Sequence, residues 1–196
     1  MDLPPAYKYE QNFGSGRDVK DIRNGVSFSH LFKFSKQCSI PLIAKRAILD
    51  WLIFNVLIGN SDAHGKNISF LVGKQSYQLA PFYDLLSIVY EAKINKSIDT
   101  GLAMAIGDQF DINQVTAYDL LNLSEVADIP LSQLKNRLFH VCNATLDSIT
   151  NSATFVDGYD GVVKRTVSEL TKLIKTRCHQ MIEEYKQLDE VKRLLF

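Results

Sequence analysis

The amino-acid sequence predicts a mainly α-helical domain with one small β-hairpin. The segment 41–58 begins with proline, is apolar on nearly every helical face and is followed by Gly59, a pattern typical of a buried helix that ends at a glycine. Two later segments, 132–149 and 162–195, repeat apolar residues at steps of three and four, the period of an amphipathic helix. The third observation is a pair of short apolar runs on either side of a glycine-containing turn.

These two runs, 67–72 and 77–83, predict the hairpin, with four residues beginning at a glycine between them. If the turn is centred on the middle of those four residues, each residue i faces residue 149 minus i. Asn67 then lies opposite Phe82. Asp84 falls just beyond the end of the second strand.

The rest of the chain is predicted to be helix and loop. The first 30 or so residues combine prolines, a Gly-Ser-Gly turn at 14–16 and a mixed charged run at 17–23, which predicts loop, short helix and loop without a strand. Shorter helices are expected at 85–92 and 102–106. The glycines at 14–16 lack the pattern of a phosphate-binding loop and do not stand between a strand and a helix, so a turn is expected there.

The composition predicts a protein that is not attracted to a partner by a large net charge. The chain has 196 residues, enough for one medium domain, with 22 Lys plus Arg against 22 Asp plus Glu. A formal net charge of zero removes the positive field that attracts proteins to DNA or to anionic membranes. We therefore expect no direct nucleic-acid contact and no membrane contact, and the lysines of the last helix are expected to form a solvated face.

The cysteines and the first residues predict a cytoplasmic location. Cys38, Cys142 and Cys178 are widely separated and form no C-x-x-C pair, which fits structural thiols in a reducing compartment. The first ten residues carry two prolines and two acidic side chains where a signal peptide would need a basic end and an apolar run. The apolar stretch 40–58 is interrupted by charged and polar residues, so it would be an expensive membrane span.

The loop after the central helix holds the candidate reactive residues. Asp62, His64, Lys66 and Asn67 fall within six residues between two apolar elements, and such loops are where a rigid scaffold presents reactive groups. Four residues separate Asp62 from Asn67. This is the interval of the protein-kinase catalytic loop, in which the Asp accepts the proton of the substrate hydroxyl and the Asn binds magnesium. Asp84 follows Asn67 by 17 residues.

The predicted hairpin brings Asn67 and Asp84 together at its open end. Magnesium prefers oxygen ligands and needs only one or two protein groups when a nucleotide supplies phosphates, so these two side chains suffice and Asp62 remains available as a base or orienting group. Taken singly, each loop residue has an ordinary interpretation: Asp62 as a turn former, His64 as a backbone hydrogen-bond partner and Lys66 as a solvated lysine. The combination favours phosphoryl transfer.

At these residues the sequence resembles the HipA family of serine/threonine kinases, the toxins of bacterial toxin–antitoxin systems. The matching stretches are KYE at 8–10, FNVLIGNSDAHGKNISFLV at 54–72, YQLAPFYDLLS at 77–87 and LAMAIGD at 102–108. The second and third stretches form a specific signature. The likeness continues with lower definition through the C-terminal helices.

The resemblance implies a protein-kinase-like C-terminal lobe that extends over 1–196. Its expected parts are an N-terminal segment at 1–40, the central helix at 41–58, the catalytic loop and metal-binding hairpin at 59–84, and a helical body at 85–196.

The resemblance also implies the roles of the site residues and the partners. Asp62 matches the catalytic aspartate, and Asn67 and Asp84 match the ligands of Mg²⁺, with ATP as the phosphate donor. Family members phosphorylate a protein hydroxyl, in known cases on an aminoacyl-tRNA synthetase, and are neutralised by a DNA-binding antitoxin protein. The positions that match motif residues near the nucleotide phosphates are His64, Lys66 and Tyr83.

The family pattern is not complete in this chain. Kinases of this kind place a sheet-rich N-terminal lobe before these motifs, with a loop over the phosphates and a strand lysine that holds them. The residues before the central helix do not alternate like a sheet, so the N-terminal sheet lobe is expected to be absent and the activity of the chain alone to be weak. A truncated chain, a split kinase completed by an N-lobe-bearing chain, and a lobe that serves only as a binding module are the three explanations.

Two other functions compete with the kinase lobe. The first is a catalytically silent binding or assembly module of a toxin–antitoxin complex. The second, less favoured, is a lipid-kinase fragment, because lipid kinases also use an Asp-x-His-x-x-Asn loop followed by an Asp. A lipid substrate calls for a basic or amphipathic membrane-facing surface, and the sequence offers none.

Overall fold

The computed structural model describes residues 8–152 and 160–195, so the first seven residues of the predicted N-terminal segment lie outside it. The architecture is mainly helical, as predicted, but it carries two small antiparallel hairpins in place of one. The helices are α1 Phe28–Ser35, α2 Pro41–Ile58, α3 Ile88–Ile94, α4 Ala117–Val126, α5 Leu131–Ser152 and α6 Gly161–Leu195. The strand pairs are β1 Phe70–Val72 with β2 Tyr77–Leu79, and β3 Gly101–Ile106 with β4 Gln109–Asp111.

Helix α2 is the centre of the core, which confirms the prediction of a buried central helix. It packs against α1, α5 and α6. Its first turn is the exception, because Leu42 and Ile43 are exposed to solvent. Most of the remaining apolar side chains are withdrawn from water, and those at 1% exposure or less are Ile48, Leu49, Leu52, Ile53 and Leu57.

Helix α2 ends at Gly59, as the sequence predicts. Gly59 has φ 76°, in the left-handed region, and its N–H bonds to the carbonyls of Asn55 and Val56. A Cβ atom at this position would lie 3.0 Å from the Cβ of Val89 on α3. Glycine is therefore required twice, by the backbone conformation and by the close approach of α3.

The two amphipathic helices are confirmed as α5 and α6, which pack against each other and against α2. Their buried faces include two of the three thiols, and burial raises the pKa of Cys142 to about 12 and that of Cys178 to about 11. All three cysteines are free and buried, as expected of structural thiols. Across the described ranges, no helix has both the length and the apolar character that crossing a bilayer requires.

The first hairpin has the predicted register. Phe70 pairs with Leu79 and Val72 pairs with Tyr77, so each pair obeys the 149-minus-i rule. The strands are shorter than predicted, because Gly65–Asn67 forms a single 3₁₀ turn before β1 and because Pro81 has no N–H to continue the ladder after β2.

The prediction of a helix at 102–106 is wrong, because this segment is strand β3. A five-residue apolar run has no period that separates a strand from a buried helix, so its neighbours decide. On one side β3 pairs with β4 across a turn at Gly107. On the other side its backbone bonds to Glu10, whose N–H donates to Ala103 (2.8 Å), and to Ser61, whose carbonyl accepts from Ala103 (2.8 Å).

The short helix predicted within the first 30 or so residues does not form at 17–23, where the structure has turns. The run is largely exposed, and a helix this short is marginal without tertiary packing. The helix expected at 85–92 is present but starts later, at Ile88. Helices α1 and α4 were not assigned from the sequence.

One buried arginine connects α6 to the end of α2. The guanidinium of Arg177 donates to the carbonyl of Val56 (2.6 Å) from Nε and to the carbonyl of Ile112 (2.8 Å) from Nη2. Its Nη1 donates to the Oδ1 of Asn113 (2.8 Å). Burial lowers the pKa of Arg177 to about 10, which reflects the cost of withdrawing the charge from water.

We predict that Arg177→Met lowers the free energy of unfolding by roughly 2 to 4 kcal/mol, because the buried carbonyls of Val56 and Ile112 each lose a charged donor. Chemical denaturation monitored by circular dichroism measures the change. The matched control is Lys172→Met on the exposed face of the same helix, which is expected to stay within about 0.5 kcal/mol. Equal effects of the two substitutions would contradict the proposed structural role of Arg177.

Candidate functional site

Asp62 lies in the loop between α2 and the first hairpin, with its carboxylate between two rings. Oδ1 accepts a hydrogen bond from the hydroxyl of Tyr9 (2.9 Å). Oδ2 lies 4.0 Å from Nε2 of His64. The side chain of Asp62 is 46% exposed, whereas that of His64 is 9% exposed. Asp62 is thus held from the protein side and open to solvent on the other, as a group that meets a substrate must be.

His64 connects the loop to the hairpin. Its Nδ1 accepts the N–H of Lys66 (3.3 Å), so the neutral ring carries its proton on Nε2, the atom nearest Asp62. Burial lowers the pKa of His64, although the carboxylate of Asp62 acts in the opposite direction. The ring also meets that of Tyr9 edge-on, with centroids 5.4 Å apart. His64 is therefore a neutral, fixed element of the loop at neutral pH.

Asn67 and Asp84 meet at the open end of the hairpin, as the register predicts. The amide Nδ2 of Asn67 donates to Oδ2 of Asp84 at 2.5 Å. The Oδ1 of the same amide accepts the backbone N–H of His64 (2.9 Å), which completes a cap on the 3₁₀ turn. Asn67 is buried while Asp84 is exposed. The meeting of the two side chains is confirmed, and their role as metal ligands stays a prediction.

A chain of buried amides positions Asp84. Asp84 has φ 59°, a conformation that Asp tolerates better than most residues. Its carbonyl accepts from the Nδ2 of Asn60 (3.1 Å), which also donates to Oδ1 of Asn55 (2.8 Å). The amide of Asn55 in turn donates to the carbonyl of Trp51 (2.8 Å), inside α2. The backbone of Asp84 is thus tied to the central helix.

Tyr83 and Lys66, both expected near the phosphates, have different surroundings. The Tyr83 hydroxyl donates to the carbonyl of Lys66 and lies 2.9 Å from Oγ of Ser69, so it closes the base of the hairpin. The side chain of Lys66 is exposed. Neither arrangement tests a contact with nucleotide, which stays a prediction for both residues and for His64.

The N-terminal segment reaches the loop through the KYE stretch. The N–H of Gly65 donates to the carbonyl of Lys8 (2.9 Å). Nζ of Lys8 lies 4.5 Å from the centroid of the Tyr9 ring. Interaction with Tyr9, and with Asp62 beyond it, raises the pKa of Lys8. The backbone at Tyr9 is fixed by Gly25, where an added Cβ would lie 1.7 Å from the Tyr9 carbonyl oxygen.

Glu10 anchors the same stretch to β3. It is 3% exposed, and its Oε2 accepts the N–H of Ala105 (2.8 Å). Its Oε1 accepts from Nε of Arg23 (2.7 Å), whose Nη1 also pairs with Asp108 (2.6 Å). A buried carboxylate is stable only when it is paired in this way. The ion pair thus holds Tyr9 in reach of Asp62.

Sequence reasoning assigned no role to Tyr9, Asn55 or Asn60. Tyr9 lies 53 residues from its partner Asp62, so no local spacing could have revealed the contact. A signal existed for Asn55, which is a polar residue among apolar neighbours in the final turn of α2. Such a residue calls for a specific buried partner.

The fold and the loop together define a protein-kinase-like C-terminal lobe. The family model of the HipA-like C-terminal domain matches residues 1–153. The chain belongs to this family.

One curated relative and one solved structure are similar to the chain over most of its length. The chain is 38% identical over 176 residues to the serine/threonine-protein kinase toxin HipA of Shewanella oneidensis MR-1, a match that covers 89% of this chain and 40% of that protein. It also matches a solved complex of HipA, HipB and operator DNA from the same organism, with TM-score 0.88 and 35% identity over 95% of this chain and 43% of the matched chain. The chain thus spans about two fifths of the length of these relatives.

We predict that Asn60→Ala lowers the free energy of unfolding by about 1 to 3 kcal/mol, because the Oδ1 of Asn55 loses its donor in a buried site. The carbonyl of Asp84 loses the same donor, so its hairpin end is expected to exchange amide hydrogens faster. Denaturation and hydrogen exchange measure the two effects. The control is Asn24→Ala at an exposed position. If Asn60→Ala changed stability and exchange as little as the control does, the positioning role of Asn60 would be contradicted.

Proposed function

We propose that this chain is the C-terminal lobe of a serine/threonine protein kinase that transfers the γ-phosphoryl group of ATP to a protein hydroxyl. The observation that carries the proposal is the contact of Asn67 with Asp84, linked through His64 to a half-exposed Asp62. An amide, a strand-end carboxylate and a separate carboxylate in this arrangement match the parts that phosphoryl transfer needs. The relative named as a serine/threonine kinase favours a protein acceptor over a lipid.

In this proposal Asp62 receives the proton of the acceptor hydroxyl. The hydroxyl oxygen forms a bond to the γ-phosphorus while the bond from that phosphorus to the bridging oxygen breaks, and ADP leaves with the electron pair. Tyr9 fixes one carboxylate oxygen of Asp62 by its hydrogen bond, which leaves Oδ2 to meet the proton. Because the imidazole of His64 is neutral, it places no positive charge beside that oxygen. The carboxylate of Asp62 therefore remains basic enough to accept a proton.

The residues at the hairpin end fit magnesium. Asn67 and Asp84 offer an amide oxygen and carboxylate oxygens, the ligand types this ion prefers, and two protein groups are enough when phosphates and water complete the shell. Within residues 8–152 and 160–195, no group of three or more His, Cys, Asp or Glu side chains is arranged to hold a metal by itself. The ion, when bound, would neutralise and orient the phosphates of ATP.

A sheet-rich lobe carrying the phosphate-covering loop is the first partner proposed for this chain. The relatives are more than twice as long as the matched region, which leaves room in them for such a lobe. Leu71 and Val72, on β1, are 56% and 80% exposed. Exposed apolar side chains on this hairpin are suited to contact with another lobe.

An antitoxin protein is the second proposed partner, because the matched solved structure is a complex of HipA with HipB and operator DNA. In the alternative function, the lobe is catalytically silent and only assembles with such a partner. That alternative predicts partner binding without magnesium-nucleotide binding.

We expect Asp84→Asn to weaken magnesium-dependent ATP binding at least about tenfold, because one ionised oxygen ligand is lost. Asp62→Asn is expected to leave that binding within about twofold and to reduce phosphoryl transfer by about a hundredfold or more, as loss of a general base does. Isothermal calorimetry and radiolabel transfer, with the sheet-rich lobe supplied in cis or in trans, measure the two quantities.

The control for both variants is Asp21→Asn, an exposed aspartate in the N-terminal segment. It removes the same charge and is expected to change neither quantity. If the reconstituted activity survived Asp62→Asn and Asp84→Asn unchanged, the assigned roles would be wrong. If no magnesium-nucleotide binding appeared even with the second lobe present, the silent-module alternative would take its place.

A further inference from the structure

The proposed function assigns no role to Lys8, the first residue of the KYE stretch at 8–10, although it lies at the candidate site. Its carbonyl accepts the N–H of Gly65 (2.9 Å), in the loop that also holds Asp62. Its Nζ lies 4.5 Å from the centroid of the Tyr9 ring, and the hydroxyl of that ring donates to Asp62 (2.9 Å). The ammonium group is therefore close to the proposed base, with the side chain of Tyr9 in contact with both.

The electrostatics of the loop also place the charge of Lys8 beside the site. Interaction with Tyr9 raises the pKa of Lys8, and the negative charge of Asp62 adds to this increase, so the side chain is a cation at neutral pH. Burial is the main cause of the lowered pKa of His64, and the positive charge of Lys8 acts in the same direction. Because such effects weaken with distance, a charge that acts on both Asp62 and His64 lies near the two residues.

The backbone around Lys8 is anchored on two sides. Its own carbonyl is held by Gly65, and the backbone N–H of Glu10 donates to the carbonyl of Ala103 (2.8 Å). The buried carboxylate of Glu10 also accepts the N–H of Ala105 (2.8 Å). The side chain of Lys8 itself is only partly buried, so a ligand can reach it. A charge carried on an anchored backbone needs less ordering when it meets a ligand.

The proposed reaction calls for a cation in this place. In the transition state of phosphoryl transfer, negative charge is spread over the three equatorial oxygens of the transferred group. Asn67 and Asp84 are proposed to hold Mg²⁺ on the ATP side of that group. On the acceptor side, the imidazole of His64 is neutral and Asp62 is negative, so neither stabilises this charge. Lys8 supplies positive charge on the side where Asp62 lies.

We propose that Lys8 is a catalytic residue whose ammonium group contacts the phosphoryl group while it passes from ATP to the acceptor hydroxyl. This inference rests on the proposed function, because the phosphoryl group must be transferred next to Asp62. Before the substrates bind, the ring of Tyr9 holds the ammonium group by a cation–π contact. Lys8 stays protonated throughout, since Asp62 takes the proton, and it stabilises the negative charge of the phosphoryl oxygens.

The first test is the kinetics of Lys8→Met in the kinase reconstituted with the sheet-rich lobe, in cis or in trans. We expect kcat to fall by about a hundredfold or more, the effect of removing one donor to a developing negative charge. KM for ATP is expected to change by less than about threefold, because the contact is made mainly in the transition state. Lys8→Arg retains the charge and is expected to retain more than about a tenth of kcat. The matched control is Lys20→Met, an exposed lysine of the same segment, which is expected to change neither quantity.

A binding measurement supplies a readout that does not depend on turnover. Mg²⁺, ADP and aluminium fluoride together imitate the phosphoryl group during transfer, whereas Mg²⁺ and ADP alone do not. In calorimetry with the reconstituted kinase, Lys8→Met is expected to weaken binding of the first mixture at least about tenfold and to leave binding of the second within about twofold. Equal effects on the two mixtures would show that Lys8 does not contact the transferred group.

Tyr9→Phe separates direct contact from an effect that passes through the hydroxyl of Tyr9. This substitution keeps the ring but removes the hydrogen bond to Asp62. If Lys8 contacts the phosphoryl group directly, Lys8→Met lowers kcat by a similar factor in the Tyr9→Phe background, since independent contributions add. If the effect of Lys8→Met disappears in this background, Lys8 acts through Tyr9 and the proposal is wrong.

Failure of this inference and failure of the proposed function give different results. If the unsubstituted chain transfers phosphoryl groups and Lys8→Met does so at the same rate, the inference alone is overturned. If the unsubstituted chain transfers none with the sheet-rich lobe present, the proposed function fails and this inference fails with it. Far-UV circular dichroism of each variant verifies that a loss of activity is not a loss of fold.

Discussion

The structure depends on how the buried C-terminal half of α2 can end inside the protein. The last carbonyls of such a helix have no partner within it, and a buried carbonyl without a donor is costly. In α2 the carbonyl of Asn55 accepts from the backbone N–H groups of Gly59 and Asn60, and Val56 accepts from Gly59 and from the guanidinium of Arg177. The end of α2 is therefore connected to α6 and to its own following loop.

The candidate site is a consequence of the same arrangement. The carbonyl of Gly59 accepts from Val89, which brings α3 against the loop. The side chain of Asn60 reaches from this point to the carbonyl of Asp84. Groups that are proposed to bind phosphates and an acceptor in a defined geometry benefit from such support, because the cost of ordering them is met during folding and not during binding. The half-exposed Asp62 is the exception, because its carboxylate is open to solvent on one side.

Much of the fold and of the candidate site could be predicted from the sequence, because these features follow from patterns of residues close together in the chain. The bounds of α2 come from a proline and a glycine, and the bounds of α5 and α6 come from their periodicity. The hairpin register follows from the position of its turn, so the meeting of Asn67 and Asp84 follows by counting. Strand β3 could not be predicted, because five apolar residues have no period that separates a strand from a helix. The strand is stabilised by backbone hydrogen bonds to Glu10 and Ser61 on the edge that does not pair with β4.

The helical class, the first hairpin and the identity of the loop residues could be predicted from sequence patterns alone, since each depends on residues close together in the chain. The surroundings of Asp62, in contrast, come from contacts between distant parts of the chain. Its bond to Tyr9 joins residues 53 apart, and the pair of buried Glu10 with partly exposed Arg23 that supports it belongs to a segment without regular structure. The Oγ of Ser61, which has no hydrogen-bond partner among the described residues, is likewise buried by packing between distant segments. Contacts of this kind depend on how distant segments fold against each other, which no spacing along the chain records.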